Sequence, residues 1–225
     1  MVPAFRMATD MKQPPPRFDA AFKAQFAELV RWRRDVRAFR TDPVDPRLVA
    51  HLLALASLAP SVGLSQPWRF VLVETPARRS AIRDNFAGAN KAALDGYAGE
   101  RQARYARLKL EGLDQAPVHL AVCADEATAQ GSGLGRATMP ETIRYSVVAA
   151  IQTLWLAARM EGLGVGWVSI LDPDAARATL DLPNEWSFIA YLCLGWPAEE
   201  HDIPELERAG WEQRQCEEQV TVLRR

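Results

Sequence analysis

Four short, nearly continuous apolar runs constrain the fold of this chain more than any other feature: Phe70-Val71-Leu72-Val73, Val118 to Cys123, Val165 to Leu171 and Trp186 to Leu194. Runs of this length, bounded by proline, glycine or polar clusters, read as strands in a buried sheet. A buried sheet needs cover, and the residues between the runs supply it. Phe18, Phe22, Phe26, Leu29 and Val30 follow helical spacing, so a helix starts at Phe18 and runs into an arginine-rich stretch. Asp45-Pro46 pairs a capping residue with a first-turn proline and opens a second helix through Leu48, Leu52 and Leu55, which stops before Pro60. Glu141 to Glu161 reads as a long helix with Ile143, Val147, Ala150, Ile151 and Leu154 on one stripe. Ser146, Ala149, Ala157 and Ala158 lie nearby, and such small residues let another helix approach closely. This helix is therefore expected at the centre of the fold or at a dimer interface. Strands and helices alternate loosely and no repeat recurs, which makes the class mixed α+β.

A chain of 225 residues with 48% hydrophobic content fits one large domain. Its expected span is 18–216. Residues 1–17, with Pro14-Pro15-Pro16 and no apolar period, read as a flexible or surface-wrapping arm, and 217–225 as a C-terminal tail. A net charge of -1 removes the general attraction to nucleic acid or anionic membranes, so neither is an expected partner. No run is long enough to span a bilayer, and the N-terminus lacks a signal-peptide pattern, so a cytoplasmic location is expected. Cys123, Cys193 and Cys216 are far apart, and the first two lie in strand-like runs. Buried thiols in a reducing compartment fit better than disulfides or a metal site.

The first chemistry-bearing segment is Arg33-Arg34-Asp35-Val36-Arg37, three guanidiniums around one carboxylate. If it is extended, Arg33, Asp35 and Arg37 project to one side and Val36 and Ala38 to the other. That side makes a phosphate-sized cradle, because the planar guanidinium binds phosphate bidentately. The alternative is a solvated basic helix end that complements the helix dipole.

Other motifs carry less. Gly162-x-Gly164-x-Gly166 sits where a helix gives way to a strand, the reverse of a dinucleotide-binding turn. Gly131-Ser132-Gly133-Leu134-Gly135 lacks the lysine and preceding strand of a phosphate loop and reads as a mobile surface loop. His51, His119 and His201 share no metal-ligand spacing, and no serine stands in a nucleophile elbow, so no metal is expected.

The arginine segment, the loop Pro60-Ser61 to Gln66-Pro67-Trp68, the stretch Gly164 to Ser169 and the late Arg214 occur in an order that resembles the FMN-dependent nitroreductase family. The resemblance covers about residues 18 to 216. It implies a nitroreductase-like fold: a central mixed, mainly antiparallel sheet flanked by helices, in an intertwined homodimer. Asp35 departs from the common pattern, which has a small hydroxyl residue there. Together with Tyr105 to Pro117 and Gly166-Trp167-Val168-Ser169, it looks like the branch of the family that makes 5,6-dimethylbenzimidazole. In that branch reduced FMN is the substrate, cleaved with molecular oxygen as co-substrate to the benzimidazole and erythrose 4-phosphate.

By this resemblance FMN is contacted by Arg33, Arg34, Asp35, Val36 and Arg37, by Ser61 and Gln66, and by Leu110, Ser169 and Arg214. Reduced flavin carries negative charge that a guanidinium stabilises, and further arginines suit its phosphate. Breaking the ribityl chain also requires protons to leave carbon and oxygen, which calls for a base. Asp35 is the candidate, with neutralisation of its arginine neighbours as the alternative role. Ser169, read as the start of a strand, either hydrogen-bonds the reacting flavin edge or is a plain strand serine. Oxygen chemistry on a reduced flavin also needs bulk water excluded. Glu100 to Leu113, with Tyr105, Leu108 and Leu110 at near-helical spacing, is either the lid or an amphipathic connector. The implied partners are a second copy of the chain and a separate reductase that supplies reduced FMN. Two rival readings stand beside this one: an ordinary NAD(P)H-dependent nitroreductase or flavin reductase, and a non-catalytic FMN-binding protein.

Overall fold

The four apolar runs form one sheet. In this computed structural model, which describes residues 14–215, the strands are β1 (Trp68–Leu72), β2 (Val118–Asp125), β3 (Gly164–Val168) and β4 (Trp186–Gly195). They lie in the order β1-β2-β4-β3, and each neighbouring pair is antiparallel. β2 and β4 occupy the centre, with Ala121 opposite Tyr191 and a register shift between Val122 and Cys123. Residues of β2 divide between two cores: Leu120, Val122 and Ala124 face one and Ala121 the other. Both faces are covered, which is why the strands read as continuous rather than alternating apolar runs.

The first core is closed by α2 (Pro46–Ala56) and α5 (Thr142–Met160), through Leu52, Val147, Ile151 and Leu154. Asp45 caps α2 by accepting from the Arg47 N–H at 2.8 Å. The small residues of α5 do not wait for a partner: Ser146, Ala157 and Ala158 are buried within the chain itself. Its outward side carries Tyr145, Val148 and Met160 instead. The second core lies under α3 (Pro76–Asp95) and α6 (Pro173–Thr179), with Ile82, Ala176, Tyr191 and Cys193 inside. Burial pushes the Cys123 thiol up to about 11 and the Cys193 thiol higher still, so both are inert neutral thiols. The remaining helices are α1 (Ala20–Trp32), α4 (Gly99–Tyr105) and the single turn α7 (Glu205–Arg208). Among the described residues no helix is long and apolar enough to cross a membrane.

Several expectations change here. The helix expected from Phe18 begins at Ala20, capped by the Asp19 carboxylate, and its apolar stripe is exposed: Phe18, Phe22, Phe26 and Val30 face outward with their rings stacked along the helix. The third strand ends at Val168, not Leu171, because Asp172-Pro173 caps the next helix. The parallel component expected in the sheet is confined to an isolated bridge between Asp35 and Val165. Residues 1–13 of the expected arm, and all of the tail from 217, lie outside the described residues, as does Cys216.

Candidate active site

α1 ends at Trp32, and the chain then becomes extended, with Arg33 at φ -69° and ψ 112°. Residues 35–39 lie along the outer edge of β3 and cross to the segment after β4. The Val36 N–H donates to the Val165 carbonyl at 3.0 Å, and the Arg40 N–H to the Trp196 carbonyl at 2.8 Å. This approach requires Gly164 and Gly166. A Cβ at Gly164 would stand 2.6 Å from Val36 Cγ2, and one at Gly166 would overlap the Val36 carbonyl oxygen. The glycines that mimic a dinucleotide motif thus make room for the arginine segment. Gly162, at φ +77°, supplies the left-handed residue that ends α5.

Asp35 is held at both oxygens. Oδ1 accepts the Trp167 backbone N–H at 2.8 Å, and Oδ2 accepts Arg37 Nε at 3.0 Å. Its side chain remains 31% exposed while Arg37 is 13% exposed, so the carboxylate is fixed yet reachable. Arg37 Nη1 also donates to the Lys109 carbonyl at 2.8 Å. Arg34 turns away, donating to the carbonyls of Asp202 and Arg33. The Arg33 guanidinium lies 5.0 Å above the Trp155 ring, whose Nε1 donates to the Arg34 carbonyl. Burial pulls both Arg33 and Arg34 below the usual arginine range. The charge of Arg214 adds to this at each, and Asp35 opposes it at Arg33. Arginines remain charged even so. Gathering their charges is a cost that a bound anion relieves.

Arg33, Asp35, Arg37, Lys109, Arg159 and Arg208 line a cleft of about 90 Å³. Of the residues singled out in the sequence, Arg33, Arg34, Asp35, Val36 and Arg37 come together there, with Leu110 next to Lys109 and Arg214 close enough for its charge to reach the cluster. Ser169 does not line it. It lies beyond the end of β3, exposed, rather than at a strand's start. Ser61 and Gln66 are elsewhere. The Val62 N–H donates to Ser146 Oγ at 3.0 Å, whereas the arginine cluster meets α5 at Trp155. Those nine residues separate the two places by about 13–14 Å along the helix.

The second place has its own order. Ser61 Oγ accepts the Gln66 N–H at 3.0 Å, and Gln130 Nε2 donates to Gln66 Oε1 at 3.0 Å and to the Leu64 carbonyl at 2.8 Å. Leu64 and Gln66 both adopt positive φ, +57° and +43°. Backbone strain of this kind is held only by a surround that fixes it. The glycine loop supplies it: a Cβ on Gly131 would stand 2.6 Å from the Gly63 carbonyl oxygen. The loop at 131–135 is thus a surface loop, with Leu134 exposed, that packs against the 61–66 loop through Gly131.

The expected lid is also different in detail. α4 ends at Tyr105, so Leu108 and Leu110 do not continue its face. Tyr105 is buried, donates to Asn90 Oδ1 at 2.8 Å and packs among Tyr97 and Trp211 instead of over the cleft. The stretch after it returns to the cleft through the Lys109 carbonyl. Trp155, Lys109 and Arg159 were not foreseeable as site residues, since tertiary packing alone brings them to the cluster. Among the described residues no three His, Cys, Asp or Glu side chains converge as a metal site.

The model of the nitroreductase family matches residues 30–196, from the end of α1 to the residue after β4. The chain belongs to the nitroreductase family. Within it, the chain is 64% identical over 199 residues to a 5,6-dimethylbenzimidazole synthase of Rhodospirillum rubrum, covering 88% of this chain and 94% of that protein. A 5,6-dimethylbenzimidazole synthase of Rhodobacter capsulatus is 49% identical, covering 87% and 95%. Among solved structures, iodotyrosine deiodinase bound to FMN and 3-iodo-L-tyrosine matches with a TM-score of 0.66 at 24% identity, covering 78% of this chain and 91% of that one. That likeness carries the nitroreductase fold, the four-stranded sheet with helices on both faces. The arginine segment and β3 lie inside the family match, whereas Trp211 and Arg214 lie beyond it.

Proposed function

We propose that this nitroreductase-family chain is a 5,6-dimethylbenzimidazole synthase, which fragments reduced FMN with molecular oxygen to the lower ligand of cobalamin and erythrose 4-phosphate. The observation that carries the reading is Asp35, a reachable carboxylate pinned between the Trp167 N–H and Arg37 in an arginine-lined cleft, in a chain 64% identical to a synthase of that name.

FMN fits the donor set. The cluster gathers guanidiniums, and the mutual repulsion of Arg33, Arg34 and Arg214 is the electrostatic state that a dianion relieves. Bound here, FMN supplies both the reactive ring and the sugar chain that is broken. Arg33 and Arg214 hold the phosphate, and Arg37 fixes Asp35 while adding positive charge beside the ring. Asp35 is the general base: the Trp167 N–H orients one oxygen and Arg37 the other, and the exposed part of the carboxylate takes the proton. Arg34 organises the site from behind by gripping the Asp202 carbonyl.

The site is completed by a second copy. Cavities that hold small molecules usually have roughly 300–1,000 Å³, well above the 90 Å³ enclosed by one chain. Ser61 and Gln66 lie at the far end of α5, where they serve the partner's flavin. The outward Tyr145, Val148 and Met160 of α5 and the phenylalanine stripe of α1 supply apolar surface for such a dimer. Reduced FMN comes from a separate flavin reductase, and the two buried, neutral thiols accord with a cytoplasmic location.

The test mixes the purified protein with chemically reduced FMN in air and looks for the benzimidazole by mass spectrometry. Its appearance, with loss of flavin absorbance, is expected. Rapid steady-state NAD(P)H oxidation that leaves the flavin intact would assign the chain to the ordinary reductases.

A further inference from the structure

We infer that Trp211 is a positioning residue that locks the α4 segment and the Arg214 segment into one unit beside the arginine cleft; the inference rests on the FMN reading above. Two stretches of chain, 97–105 and 206–211, meet at its indole. The Trp211 ring stands edge-on to Tyr97, which follows α3, at 5.5 Å and 84°, and to Tyr105, at the end of α4, at 5.9 Å and 67°. Tyr97 and Tyr105 are themselves 5.0 Å apart. The Arg101 guanidinium lies 5.1 Å over the indole and 5.7 Å over the Tyr97 ring. The backbone holds Trp211 in place from its own side, since Gly210 turns at φ +69° and the Trp211 N–H donates to the Leu206 carbonyl at 2.9 Å.

Each arm leaving this cluster acts on the arginine segment. Four residues after Tyr105, the Lys109 carbonyl accepts Arg37, which in turn holds Asp35. Three residues after Trp211, Arg214 places its charge against Arg33 and Arg34. α4 has seven residues, no side-chain cap and one buried side chain, Tyr105. A helix that short does not stand alone, so its position is set by what Tyr105 packs against. The indole therefore sets two things at once: where the segment 99–113 lies and where Arg214 stands. A ring that only stabilised the C-terminal segment would have no reason to be tied to both.

The experiment compares the full-length wild type with Trp211→Ala, Trp211→Phe and Arg101→Ala. Hydrogen exchange should quicken across 99–113 in Trp211→Ala while β2 and β4 stay protected. The affinity for oxidised FMN, read by flavin fluorescence quenching, should fall about tenfold, as expected when edge-to-face aromatic pairs are lost. The reduced-FMN concentration for half-maximal rate should rise in parallel, with more of the oxygen released as hydrogen peroxide. Trp211→Phe should restore most of the affinity, and Arg101→Ala should give an intermediate loss. If Trp211→Ala does not fold, the Phe and Arg101 variants decide. Unchanged FMN affinity and unchanged exchange across 99–113 overturn the inference, even where the melting temperature falls. Neither readout needs the benzimidazole, so failure of the wild type to make it counts against the proposed function and not against this coupling.

Discussion

At the scale of single residues, Asp35 and His119 carry opposite lessons. Asp35→Asn keeps an oxygen for the Trp167 N–H but sets an NH₂ group against Arg37 Nε, and it removes the base. FMN affinity should stay within about tenfold, a change of ~1.4 kcal/mol, while product formation falls by at least about 100-fold. Fluorescence titration and product mass spectrometry measure the two; a variant that makes product at the wild-type rate removes Asp35 from the base role. His119 is buried with Nδ1 2.9 Å from the Tyr191 hydroxyl, and burial, helped by the charge of Arg79, lowers its pKa from 6.5 to about 4. Below pH 6.5 the unfolded chain takes up a proton that the folded chain refuses, so stability falls as pH drops, by about 3 kcal/mol on reaching pH 4. Above pH 6.5 this residue contributes no slope. Urea unfolding at pH 7 and pH 4.5 should show the loss, and His119→Gln should show a shallower one. The arginine cluster was legible in the sequence because its members are adjacent. Lys109, Trp155 and Arg159 were not, because only folding makes them neighbours.

At the scale of elements, the arginine segment is an edge strand in all but length, and its register against β3 aims Asp35. Gly166→Ala tests that register. Its methyl group would overlap the Val36 carbonyl oxygen, so the segment must shift. A loss of about 1–3 kcal/mol in stability is expected from overpacking, together with weakened FMN binding, checked by thermal melts and flavin titration. Unchanged binding would mean that the register does not position the site. The strands were readable because burial on both faces makes them continuous apolar runs. α3 was not, although Thr75-Pro76 marks its start, because Ile82 is its one buried residue and charges surround it. Ser169 was misplaced for a related reason. Apolar character continues through Ile170 and Leu171 after the strand pairing has ended, and only the Asp172 cap marks the change.

At the scale of the whole molecule, the chain places the arginine cleft and the Ser61 to Gln66 loop towards opposite ends of α5 and exposes an aromatic stripe on α1. Both features accord with the proposed dimer, in which each copy supplies what the other lacks. Sedimentation equilibrium should find a dimer down to low concentration, as expected for an obligate interface larger than about 2,000 Å²; a stable folded monomer would contradict it. In the proposed reaction flavin is consumed rather than recycled. The most direct measurement is a single-turnover reaction of excess protein with reduced FMN in air, quantifying flavin lost and benzimidazole formed. One benzimidazole should appear for each FMN destroyed, with no dependence on NAD(P)H. Full recovery of oxidised FMN, with oxygen reduced and no benzimidazole formed, would contradict the claim.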